Sequence, residues 1–184
     1  MDVLRNQQAP SKYYTLRVSR ERRLARVLCA IGLMVWSPVV ACQTTDPAAL
    51  PGTLRDLLKN ERFDIVSSIR GFPIGVRDGL RTLFGTQGLD IAEPGGEFQA
   101  TEAIGHSTLP LRRLVAGGCS RDNHCLVYYE RGGGTRTWRV AIFHWTPDVT
   151  RFEWGGNAQG GLATIDDVRN AVLAGAVKGP VTSW

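Results

Sequence analysis

The chain is poor in the residues that do chemistry. Its 184 positions hold three histidines, four cysteines and two methionines. No cysteine or histidine pair has the C-x2-C or H-x3-H spacing of a zinc site, so the sequence predicts no metal and no cofactor. The glycine runs at 132–134 and 155–161 lack the G-x-G-x-x-G and Walker spacings that cradle phosphate. They read as a hairpin connection and a flexible loop. No apolar run reaches the roughly 20 residues that a membrane-spanning helix needs.

Excess charge is missing from most of the chain as well. The formal net charge is +5, and residues 1–41 supply all of it: seven Lys/Arg against Asp2 and Glu21. Residues 42–184 carry fifteen basic and fifteen acidic side chains. A balanced folded part gives no electrostatic support for a nucleic-acid partner.

What the N-terminus does have is the pattern of an export signal. Arg20, Arg22, Arg23 and Arg26 precede the apolar stretch VLCAIGLMVWSPVVA, Val27 to Ala41, which ends in small residues. A basic region, a short apolar region and a small-residue end make a secretory signal, predicted over residues 1–41. Val39-Val40-Ala41-Cys42 resembles a bacterial lipoprotein box, in which Cys42 is acylated; plain cleavage after Ala41 is the competing reading. The expected place is the periplasm or a lipid-anchored envelope, with the membrane touched only through that lipid. Removal of the leader takes Cys29 with it. Lipidation of Cys42 then leaves Cys119 and Cys125, an even pair in an oxidising compartment.

Residues 42–52 read as a polar, Pro-containing tether, and 53–184 as a single α+β domain. Thr53 is the expected N-cap of a helix with Leu54, Leu57 and Leu58 on one stripe. Phe63, Ile65, Val66 and Ile69 suggest further helical turns. Pro73 opens another helix, with Val76, Leu80, Leu83 and Phe84 on its buried face and Gly85 as its stop. The period then changes to two. Leu89 to Ala92, 97–104 and Leu111 to Gly117 are weaker strand candidates, and three clearer strands follow. His124–Arg131 sets Cys125, Val127 and Tyr129 against Leu126 and Tyr128. Arg136–Trp145 is apolar on both faces, which marks a central strand. Thr150–Trp154 places Phe152 and Trp154 on one side and Arg151 and Glu153 on the other. Thr164 caps a last helix with Asp166 and Asp167 in its first turn and Ile165, Val168 and Val172 as its buried stripe; Lys178-Gly179-Pro180 is its expected end. The sum is an antiparallel sheet of four to six strands with N-terminal helices and one C-terminal helix.

Cys119 and Cys125 bracket the polar sequence SRDNH. A disulfide here closes so short a loop that the chain-entropy model assigns it only about 2 kcal/mol. Fixing a polar loop in one shape is its more useful effect, because a rigid loop loses less entropy on docking. Arg121, Asp122, Asn123 and His124 are therefore the candidate binding residues; a plain stapled turn is the structural alternative.

A short cysteine-bounded polar loop containing histidine, followed by antiparallel strands, resembles the Ivy-type inhibitors of vertebrate lysozyme over about residues 119–155. The resemblance implies that the loop presents His124, with Arg121 beside it, to two catalytic carboxylates of a lysozyme-like hydrolase. Five residues separate the cysteines here where the family has four, and the family's Lys-Pro-His-Asp order is absent. The expected function is a cell-envelope binding or inhibitory protein with a protein partner. The alternative is a small cysteine-dependent envelope hydrolase with Cys125 as nucleophile and His144 as base. His144 also alternates with Val140 and Ile142, the position of a core or rim histidine.

Overall fold

The computed structural model describes residues 49–101, 108–181, 183 and 184. The export signal, Cys42, most of the tether and the end of the 97–104 segment lie outside the described residues. Five strands form one sheet in chain order: β1 (Phe63–Ile65), β2 (Arg112–Ser120), β3 (His124–Arg131), β4 (Thr137–Trp145) and β5 (Thr150–Ala158). All neighbours are antiparallel. Among the described residues three α-helices accompany it: α1 (Gly52–Asn60), α2 (Ile74–Phe84) and α3 (Ile165–Leu173). This is the expected α+β class. Among the described residues no helix is long and apolar enough to cross a membrane.

Alternation along β3 and β4 decides where the helices go. Leu126, Tyr128, Val140 and Ile142 point to one face, where Leu54 and Leu58 of α1 and Ile165, Val168 and Val172 of α3 cover them. Cys125, Val127, Tyr129, Ala141 and Phe143 point to the other, under Val76, Leu80 and Phe84 of α2. Strands with two apolar faces need cover on both, and each fully buried Leu, Ile or Val contributes roughly 1.5–3 kcal/mol. The helix stops follow local chemistry. Gly85 ends α2 in the left-handed conformation at φ 67°, as its position predicted. Thr164 and Asp167 form a reciprocal capping box on α3.

Several expectations are corrected. Phe63–Ile65 is a strand, because the backbone of Gly118–Ser120 on β2 pairs with it. Leu89 to Ala92 forms no strand; Ala92 makes only an isolated bridge to Arg113. Helix α1 starts at Gly52 after the extended Pro51, so Thr53 lies inside the first turn and caps nothing. Helix α3 stops at Leu173, because Gly175 at φ 72° closes it well before Pro180.

β5 differs most. A bulge opposite Ile142 and Phe143 leaves Glu153 without a pairing partner, so Trp154 pairs with Ile142 and Phe152 with Phe143. The inserted residue sends the two aromatics to opposite faces. Trp154 joins the α1/α3 core, while Phe152 meets Phe143 edge-on on the α2 side. Residues 155–158, expected as loop, continue β5. A side chain at Gly156 would meet the Lys178 carbonyl oxygen at 2.6 Å, so the returning chain needs glycine there.

Candidate functional site

Cys119 and Cys125 are directly opposed across β2 and β3, with Cα atoms 4.1 Å apart, and they form a disulfide. Only Arg121, Asp122 and Asn123 lie outside the two strands. The predicted recognition loop is thus the tip of a tight hairpin. Asn123 turns the chain at φ 66°, a conformation that asparagine tolerates better than most residues.

The structure separates the four candidate residues. Arg121 and Asp122 are exposed, beside a shallow polar depression of about 250 Å³ that Asn60, Glu61, Arg62 and Asp64 complete. Asn123 is half-buried, and its carbonyl accepts from the Trp145 N–H at 2.8 Å. His124 faces inward. Its backbone N–H donates to Ser120 Oγ at 3.1 Å, and its Nδ1 lies 3.2 Å from the carboxylate of Glu61, the residue that ends α1. Its side chain is 15% exposed. The His124 ring also stands 4.9 Å from that of His144, its cross-strand partner on β4. The tip therefore offers an arginine and an aspartate outward, while the imidazole closes the gap between sheet and helix.

The thiol–imidazole pair is not assembled. Cys125 is fully buried, disulfide-bonded and packed on the α2 face. His144 is one position past Phe143 on β4 and so points to the opposite face. Among the described residues no group of three or more His, Cys, Asp or Glu side chains is arranged to hold a metal ion.

The sequence reading missed a second feature. An open groove of about 970 Å³ runs between α2 and the β4–β5 connection. Phe72, Leu83, Phe143 and Trp145 line it, and Ile74, Val149 and Phe152 stand at its surface, 71%, 55% and 42% exposed. The charged side chains lining it are Asp78 and Asp148. Two glycines one turn apart on α2 let that helix lie close against β4 and β5 along the groove. A Cβ on Gly79 would meet the Phe143 ring at 2.9 Å, and one on Gly75 would strike the Thr150 side chain. The pair Gly75 and Gly79, four residues apart beside the apolar stripe of Val76 and Leu80, was the available signal for close helix–sheet approach.

No protein-family model, curated protein or solved structure matches the chain.

Proposed function

We propose that the protein is an exported binding protein of the cell envelope, without enzymatic activity, whose partner is another protein held in the groove between α2 and β5. The observation that carries this is the gathering of exposed surface on Ile74, Val149 and Phe152 on one concavity. Apolar side chains concentrated on a rimmed surface mark an interaction site, whereas scattered ones do not. Asp148, together with Asp78, which Arg81 already meets at 3.2 Å, selects the occupant by charge: an apolar segment that carries lysine or arginine. Export is supported by the basic–apolar–small pattern ending at Cys42, with or without lipid on that cysteine, and by the bonded state of Cys119 and Cys125.

The probes are a fluorescein-labelled peptide of leucine and lysine and its leucine–glutamate counterpart. Anisotropy titration is expected to show the lysine peptide binding about tenfold tighter, with Ile74→Ser and Phe152→Ser each weakening it severalfold. Equal binding of the two peptides, or binding untouched by both substitutions, overturns the reading.

The exposed Arg121 and Asp122 on a disulfide-closed tip favour a second reading, that of an inhibitor docking its hairpin on a lysozyme-like hydrolase. Inhibition of vertebrate lysozyme by residues 43–184 tests it, and absence of inhibition removes it.

A further inference from the structure

The end of the sheet away from the disulfide carries a ladder of arginines on its α2 face. Arg112 on β2 stands directly opposite Arg131 on β3. Two residues earlier on β3, on the same face, Tyr129 stands opposite Arg139 on β4. Like charges directly opposed on a sheet destabilise it, and guanidinium groups do not escape by losing protons. Burial makes the conflict worse: Arg112 and Arg139 are 3% and 8% exposed. Burial lowers the affinity of both for their protons, and the neighbouring Arg131 charge acts in the same direction.

Compensation is incomplete. Among the described residues one acidic side chain pairs with the three arginines: Asp90, which meets Arg112 and accepts from the Leu111 N–H at 2.8 Å. The remaining acceptors are main-chain oxygens, and the Phe84 ring face lies 4.0 Å from the Arg112 guanidinium. Trp184, the last residue, supplies a carboxylate oxygen to Arg112, Ser183 supplies a carbonyl to Arg139 at 3.5 Å, and Trp138 another to Arg139 at 3.3 Å. The Nε–H groups of Arg112 and Arg131 and the hydroxyl of Tyr129 are buried without a partner for their protons. Tyr129 is fully buried, and its oxygen can take a hydrogen bond from Arg112, but that neighbour has only donors to offer in return. Three unpartnered donors therefore stand among three guanidinium groups that face two carboxylates, those of Asp90 and Trp184.

We infer that the Arg112–Arg131–Arg139 ladder is an anion site for a small oxyanion, which exchanges with the Trp184 carboxylate and the Ser183 oxygen seated there. The planar fork of arginine suits a phosphate or a carboxylate equally, so the two share one chemistry. Either one would accept from the stranded Nε–H groups and the Tyr129 hydroxyl and neutralise the opposed charges. The Trp184 ring lies edge-on to Phe152 at 5.1 Å, so displacement of the tail changes its surroundings and becomes visible in tryptophan emission.

The test uses the full chain at constant ionic strength, with chloride exchanged for inorganic phosphate in one arm and for acetate in another. A saturable rise in Tm with a matching change in tryptophan emission is expected in at least one arm. Phosphate alone being active assigns a phosphoryl group; acetate alone assigns a carboxylate. Arg131→Gln is expected to raise the anion's half-saturation concentration about tenfold, the loss of one charge-assisted contact. Should that variant fail to fold, a chain lacking Ser183 and Trp184 replaces it and should bind the active anion more tightly than the intact chain. The inference is overturned by the absence of a saturable response in both arms, by an unchanged midpoint in Arg131→Gln, or by equal or weaker binding in the shortened chain.

Discussion

Nδ1 of His124 lies 3.2 Å from the carboxylate of Glu61, and this contact turns the histidine of the stapled hairpin back toward α1. It joins the end of a helix to the start of a strand 63 residues later. The two side chains are only 15% and 13% exposed, so solvent screens them less than an ordinary surface pair. A double-mutant cycle with Glu61→Ala and His124→Ala, read by urea unfolding at pH 6, is expected to give a coupling of about 1 kcal/mol. Zero coupling would mean that the contact holds nothing in place.

The same geometry ranks the hairpin residues for any partner docked at the tip. If the domain inhibits lysozyme, Arg121→Ala should weaken inhibition more than His124→Ala, because Arg121 projects and His124 does not. A larger loss for His124→Ala, with thermal stability unchanged, would show that the imidazole swings outward on binding.

Reducing the disulfide is expected to cost about 2 kcal/mol, the loop-closure term for so short a ring. The sheet should survive, since β2 and β3 pair over nearly their whole length and Cys125 stays buried as a thiol. Thermal unfolding with and without reductant measures the difference. Loss of far-ultraviolet β-signal on reduction would contradict it.

The tyrosines of β3 give a pH dependence. Burial pushes the phenol of Tyr128 up to about 12, and that of Tyr129 further still despite the arginines around it. Both should remain protonated at pH 11 in the folded chain, and absorbance at 295 nm reports this. In the unfolded chain they ionise near the ordinary value of 10.0. The folded state holds its protons longer, so this contribution is complete below pH 10 and is lost as pH climbs toward and past 12.

Asp167 works at the other end of the scale. Its hydrogen bonds from the Thr164 hydroxyl and backbone hold its carboxyl below the ordinary 3.8. The folded pKa is the lower one, so the contribution is present above pH 3.8 and disappears as pH falls through the folded value. Asp167→Asn should lower Tm at pH 7 and match the parent chain in acid. An equal deficit at both pH values would point to lost packing instead.

Gly156→Ala should destabilise by roughly 1–3 kcal/mol, the usual cost of overpacking. The new methyl meets backbone, the Lys178 carbonyl, which cannot rotate away. Chemical denaturation measures the cost. A neutral result would mean that the segment from Val177 to Pro180 shifts freely against β5.

Much of this domain was legible because its signals are local. Leu126 and Tyr128 against Cys125, Val127 and Tyr129 declare the two faces of β3 by alternation alone, and Gly85 and Thr164 mark helix ends by conformational and capping chemistry. The proximity of Cys119 to Cys125 needed only their spacing and the strands beside them. Phe152 was misplaced because a bulge depends on the partner strand, and nothing within Thr150–Trp154 records that Glu153 is left over. The edge strand Phe63–Ile65 is too short to show a period, and its pairing is decided by backbone that β2 supplies. The groove draws on residues near 75 and near 150, and the arginine ladder on three separate strands.

The sequence alone therefore determined the class of fold, the two-sided core and the closed hairpin, since each follows from the period of side chains or from groups a few residues apart. Only the tertiary structure decided which side chains face outward at the hairpin, where Phe152 goes, and that Arg112, Arg131 and Arg139 come together. The reason is physical: those outcomes depend on register between strands and on helices packed from distant parts of the chain, and no window of neighbouring residues contains that information.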